Sequence, residues 1–306
     1  MKKIILSIIL ISVTVLASAG KRQIIFDTDW WTNVDDACAI RLLLNAQRDG
    51  TVDLKGICLS AVRPTSIPSL ASFLRSEGAP EIPLGADFQA TDFNGIPCYH
   101  QLLIDAVKAP VPECEDCVEF YRRILSECRG KLDIIAVGYP NALARLLESG
   151  PDKYSKLDGR QLVRRKVKHL WMMAGNYPSG KENNFSRTPR SVSAGMKICS
   201  GWPGRITFLG HEVGIQVVAG GALAGHDLLH KVLAAHGSAA GRYAWDPLTV
   251  LLALGYDGFA ETRGTNSVIA DDGTNEFSES RHGRHGYVSL TMTPKQHAER
   301  LDTLLK

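Results

Sequence analysis

Residues 25–37 read Ile25-Phe26-Asp27-Thr28-Asp29-Trp30-Trp31-Thr32-Asn33-Val34-Asp35-Asp36-Ala37. A short apolar run at 23–26 enters this stretch as a strand. An Ala- and Leu-rich run at 37–46 leaves it with helical spacing. Between the two, four carboxylates fall within ten residues. Crowded carboxylates repel one another, and ionising them together is costly unless a cation lies among them. Ca²⁺ suits that task, because it takes about 6–8 oxygen ligands in flexible geometry. Asp35 and Asp36 also stand at the helix start, where the dipole favours negative charge. One Asp there reads as a cap. Four at a strand's carboxyl end read as a binding site, since open α/β sheets receive ligands at that end.

Outward from this stretch the same strand-then-helix order repeats. Residues 54–59, 132–137, 167–174 and 205–209 read as strands. Residues 69–75, 142–147, 223–235 and 247–253 read as helices, the first ended by Gly78 and Pro80. That order predicts an α/β fold: an open, mostly parallel, Rossmann-like sheet with helices on both faces. Residues 87–112 are irregular and suit a lid. Residues 262–290 alternate turn residues with short β runs and predict a small C-terminal β appendage.

Residues 1–19 combine Lys2 and Lys3, an apolar run from Ile4 to Leu16, and Ala17-Ser18-Ala19. This is the pattern of a cleaved signal peptide, too short for a membrane span. It predicts export to the periplasm or outside the cell, with residues 20–306 as one α/β domain and no membrane around the mature form. Across 306 residues, 35 Lys+Arg against 32 Asp+Glu leave a net charge of +3, and two of those charges belong to the leader. Near-neutrality argues against an electrostatic nucleic-acid binder. Of seven cysteines, Cys98, Cys114, Cys117 and Cys128 cluster, which suits a local disulfide in an exported protein. Cys114-x-x-Cys117 has no second pair at metal spacing.

The acidic stretch resembles the signature of the inosine-uridine nucleoside hydrolase family: Asp-x-Asp, a turn, then Asp-Asp leading a helix. Here Asp27, Asp29, Asp35 and Asp36 match it, with Trp30 and Trp31 in place of small turn residues. Further matches follow in order: Asp133-Ile-Ile-Ala-Val-Gly138, Trp171 to Asn176, Glu182-Asn183-Asn184-Phe185, Gly210-His211-Glu212-Val213-Gly214, and Ala244-Trp245-Asp246-Pro247-Leu248. The resemblance implies hydrolysis of the N-glycosidic bond of ribonucleosides. It implies Ca²⁺ held by Asp29, Asp36, the Val137 carbonyl and Asp246, with Asp29 as general base on a metal-bound water. Asp35, Glu182, Asn184 and Asn176 would clamp the ribose hydroxyls. The partner implied is a small nucleoside, and self-association into a homo-oligomer stays open.

Trp245 stands where many members carry His as the leaving-group acid. Its place resembles the purine-selective branch, where stacking on an indole activates the base. His100, in the irregular stretch, is the reserve acid. His282 and His285 flank Gly283 in a basic turn and read as surface residues, and Arg63 stands where Asn is common. Arg63 suits a carboxylate or phosphate, and so a modified nucleoside or another ribosyl compound. Two other readings compete. One is an exported nucleoside- or ribosyl-binding protein with little or no turnover. The other is an Asp-dependent phosphatase, which also opens with Asp-x-Asp after a strand.

Overall fold

The computed structural model describes residues 20–279 and 283–306. The leader and His282 lie outside the described residues. No helix among the described residues is long and apolar enough to cross a membrane.

The strands are β1 (Arg22–Thr28), β2 (Val52–Leu59), β3 (Leu84–Ala86), β4 (Cys114–Asp116), β5 (Leu132–Ala136), β6 (Val167–Met173), β7 (Ser179–Lys181), β8 (Ile206–Leu209), β9 (Val218–Ala219), β10 (Arg242–Tyr243), β11 (Phe259–Ile269), β12 (Thr274–Glu279) and β13 (His285–Leu290). All but β9 and β10 form one sheet in the order β4-β3-β2-β1-β5-β6-β8-β13-β11-β12-β7. From β4 to β13 every pairing is parallel; from β13 through β11 and β12 to β7 every pairing is antiparallel. The C-terminal β unit is thus continuous with the main sheet, joined where β13 pairs with β8.

Strand periodicity sends Ile24 and Phe26 into one apolar layer and Ile25 into the other. The first layer is covered by helices Asp35–Arg48, Ser66–Ser76, Leu228–Ala235, Trp245–Leu254 and Pro294–Leu304. The second is covered by Cys117–Glu127, Asn141–Glu148, Gly159–Lys166 and Pro189–Gly201. A third cluster gathers Trp31, Ala61, Ala90, Phe93 and Tyr139 at the carboxyl end of the sheet. Its Ala90 and Phe93 come from the irregular stretch after β3, so part of the expected lid is packed there. The rest of that stretch holds the helix His100–Val107.

The chain winds outward from β1 to β4, then returns to place β5 on the other side of β1. At such a switch point the loops leaving two neighbouring strands diverge and open a crevice. The loops leaving β1 and β5 carry Asp29 and Val137. All seven cysteines are free, so the disulfide expected among Cys98, Cys114, Cys117 and Cys128 is absent.

Candidate functional site

The end of β1 at Thr28 divides the four clustered carboxylates: Asp27 is still in the strand and Asp29 lies past it. Asp27 points to the second layer, where its Oδ2 accepts a 2.5 Å hydrogen bond from the Tyr121 hydroxyl and its Oδ1 is buried without a partner. Burial, and then Asp87, outweigh that bond and push Asp27 up to about 8. It therefore stands as a protonated structural acid beneath the site. The sequence reading grouped it with the others because spacing alone does not show which face a strand residue takes.

Asp35 and Asp36 meet on the first layer with Asp246. Ligand oxygens of Asp35, Asp36 and Asp246 lie within 4.8 Å of one another. These three are 1%, 1% and 5% exposed, and Asp29 is half-buried at the rim. Asp35 and Asp36 open their helix, and the Thr28 hydroxyl and the Trp30 amide both donate to Asp36 Oδ1. Asp246 arrives on the helix Trp245–Leu254, where its amide donates to Asp35 Oδ2 at 3.1 Å. Asp35 Oδ1 stays buried without a partner.

Burial, followed by the charges of Asp36 and Asp35, holds the Asp29 carboxyl well above its ordinary range. Burial, followed by Asp35, Asp36 and Asp29, does the same to Asp246. Asp35 and Asp36 are likewise raised, by burial first, against the Asp246 amide and Arg242 for Asp35 and the Thr28 hydroxyl for Asp36. An all-oxygen donor set, an orphaned buried oxygen and mutual repulsion fit a hard cation. Asp29 lies outside the tight three-residue set, although its charge reaches Asp246.

The turn that aims Asp29 is unusual. Trp30 takes the left-handed conformation, φ 44°, which costs a non-glycine residue roughly 1–2 kcal/mol. Its indole is fully buried, donating to Ser69 Oγ at 2.9 Å and packing on Phe73 and Tyr99. His100 fixes the same turn: one ring nitrogen meets the Trp30 carbonyl and the other Thr65 Oγ1, both at 3.0 Å. At 1% exposure and pushed by burial down to about 4, His100 is a neutral structural group. That replaces its expected role as reserve acid. Gly138 packs so closely that an added Cβ would collide with the Asp29 amide and Ser60 Oγ. We expect Gly138→Ala to cost about 2 kcal/mol in a denaturant melt. It should also slow any reaction at Asp29 by about 100-fold.

The other expected residues surround the centre. Glu182 caps a short helix, its two oxygens accepting from the Asn184 and Gly175 amides at 2.8 and 3.0 Å. Burial nonetheless raises it to about 7. The Asn184 amide nitrogen donates to the Val137 and Met173 carbonyls at 2.8 and 2.9 Å, which ties the ends of β5 and β6 together. The Asn176 backbone is clamped by Asn275, whose side chain accepts from its amide at 2.7 Å and donates to its carbonyl at 2.9 Å. Asn275 is fully buried on β12 and was not read from the sequence; its only signal is a polar residue within a β run.

Trp245 is 8% exposed, with its indole N–H donating to the His211 carbonyl at 3.0 Å. The His211 ring stacks on it at 5.4 Å, and Arg242 lies over it at 5.4 Å. The half-buried His211 thus shares the rim with Trp245, held also by its amide bond to the Gly175 carbonyl at 2.8 Å. His285, expected at the surface, is 5% exposed because β13 enters the main sheet.

No family model matches the chain, and no curated protein matches it. Solved structures do. The inosine-uridine preferring nucleoside hydrolase of Bacillus anthracis matches at TM-score 0.69 and 17% identity, over 93% of this chain and 99% of that one. The purine-preferring ribonucleoside hydrolase of Gardnerella vaginalis matches at TM-score 0.65 and 17% identity, over 93% and 98%. The type III effector protein XopQ, solved with adenosine diphosphate ribose, matches at TM-score 0.70 and 14% identity, over 94% of each chain. With the switch-point crevice and its carboxylates, these likenesses show that the chain has the nucleoside hydrolase fold.

Proposed function

We propose that this protein hydrolyses the N-glycosidic bond of ribonucleosides to ribose and free base, with purine nucleosides preferred and Ca²⁺ required. The observation that carries the reading is the buried convergence of Asp35, Asp36 and Asp246 at the β1/β5 switch point, with Asp29 at its open rim. Asp29, Asp36, Asp246 and the Val137 carbonyl would hold the cation. Bound there, it would balance the carboxylates and lower the pKa of water in the site.

The chain's own residues do the rest. Asp29 takes a proton from the attacking water, whose oxygen bonds to the anomeric carbon as the C–N bond breaks. Asp35, Asn176, Glu182 and Asn184 engage the ribose hydroxyls. Such bonds tighten as positive charge grows on the ring, which favours the transition state over the bound substrate. The base departs with the bonding electrons toward the rim formed by Trp245 and His211, and gains a proton there or from solvent.

Trp245→Ala should lower kcat/KM for inosine by about tenfold, consistent with about 1–3 kcal/mol for stacking, and change uridine less. Equal losses on both would remove the stacking role.

The direct test measures ribose and base released from inosine, with chelator and after Ca²⁺ is restored. Turnover that stops on chelation and returns with Ca²⁺ supports the reading. Tight binding without product supports a binding protein instead. Release confined to phosphate esters supports the phosphatase.

Arg63 favours a second substrate class. It lies half-buried over the Trp31 ring at 5.3 Å, with a 3.3 Å bond to the Gly95 carbonyl and no carboxylate partner among the described residues. A phosphate-bearing ribosyl compound would fit that cation, and Arg63→Ala would then impair it more than inosine.

A further inference from the structure

The site's carboxylates converge at the carboxyl end of the sheet, and a cavity at the opposite end gathers arginines. This cavity, about 440 Å³, opens beside the amino ends of β6, β8 and β13. Arg160, Arg164 and Arg284 line it, and no Asp or Glu among the described residues does. Arg160 and Arg164 sit one turn apart on the helix Gly159–Lys166 and form no ion pair or side-chain hydrogen bond among the described residues. Arg284 donates one bond, at 2.9 Å, to the Pro203 carbonyl.

The rest of the lining is built for a polar guest. Trp202 is 4% exposed, and its indole N–H is buried with no partner. An orphaned buried donor is costly unless a ligand or water accepts from it. Gln161, Ser200 and Asn266 add neutral polar groups. His285, 5% exposed, adds a buried imidazole to the wall.

We propose that this cavity is a second binding site, for a small phosphate monoester on a sugar-sized body. Three guanidinium forks match phosphate oxygens in pairs, and phosphate carries close to two negative charges at neutral pH. The volume exceeds that of a bare phosphate and falls within the range of small-molecule sites, roughly 300–1,000 Å³. The site is remote from the carboxylate centre and does not depend on its chemistry.

The test is calorimetric titration of the full chain with ribose 5-phosphate, and with ribose as the uncharged control. Binding of ribose 5-phosphate in the micromolar to low millimolar range is expected, weakening with salt, with ribose silent. The doubly substituted Arg160→Ala, Arg164→Ala protein should bind at least tenfold more weakly. Both residues are exposed on a helix surface, and an unchanged near-ultraviolet spectrum will confirm the fold. In Arg63→Ala protein, whose substitution removes any binding at the carboxylate end of the sheet, the binding that depends on Arg160 and Arg164 should persist. Absence of binding to the native chain overturns the proposal. So does binding that survives the double substitution, or that is lost with Arg63→Ala.

Discussion

Asp29→Asn is expected to lower ribose release from inosine by about 10³-fold, within the range for loss of a general base, while the fold is kept or slightly strengthened. The two effects share one cause. Asp29 is the rim carboxylate of the group, held well above its ordinary range by burial and by Asp36 and Asp35. The amide is nearly the same shape but accepts no proton from water, so the attacking oxygen keeps its hydrogen in the transition state. It also removes one negative charge that Asp246 now meets. In chelated protein, Asp29→Asn should therefore melt no lower than the native chain. Substrate binding should fall far less than kcat, because the ribose contacts assigned to Glu182, Asn184 and Asp35 remain. A variant that keeps normal turnover rejects Asp29 as the base. A variant that loses turnover and also melts well below the native chain identifies Asp29 as a structural group.

The centre was legible wherever local pattern and position coincide. A strand running into acids that open a helix put Asp29, Asp35 and Asp36 together; the structure keeps Asp35 and Asp36 in one tight set and leaves Asp29 outside it. Asp246 is different. It lies about two hundred residues away, and its approach depends on the helix Trp245–Leu254 packing against the helix Asp35–Arg48. No periodicity encodes that contact, so it came only through family resemblance. Asp27 shows the reverse limit: it is still inside β1 and faces Tyr121, while Asp29 lies past the strand's end, so proximity in sequence did not keep them together.

Edge pairing was similarly hidden. β13 joins β8 through backbone bonds that any sequence can make, so residues 262–290 looked like an independent unit. His285 is buried as a result. The role of His100 was masked by its surroundings, because an irregular stretch resembles a lid until its helix is seen to hold the Trp30 carbonyl.

Chelated protein should lose stability progressively as pH rises, and Ca²⁺ should offset part of that loss. Glu182 is held at about 7 against an ordinary 4.5, and Asp27 at about 8 against 3.8. Asp29, Asp35, Asp36 and Asp246 are raised as well. An acid whose pKa is raised by folding binds its proton more tightly in the native state. Its contribution is full below the unfolded value near 4 and is lost as pH rises through the folded value. The window here runs from about pH 4 to pH 8. Each proton of difference is worth about 1.4 kcal/mol per pH unit, so two groups titrating across pH 5.5–7.5 weaken the metal-free fold by roughly 5 kcal/mol. For a domain of this size that is a fall in Tm on the order of 10 °C. A divalent cation binds the ionised forms of Asp29, Asp36 and Asp246 and opposes the trend, so its stabilisation should be smallest near pH 5 and largest near pH 8. Mg²⁺ should replace it less well, because it demands octahedral geometry and gives up water reluctantly. Melting curves taken with chelator, Ca²⁺ and Mg²⁺ across this range decide the matter. If the chelated and Ca²⁺ curves superimpose at every pH, Asp29, Asp36 and Asp246 do not hold the ion, and the proposed chemistry loses its centre.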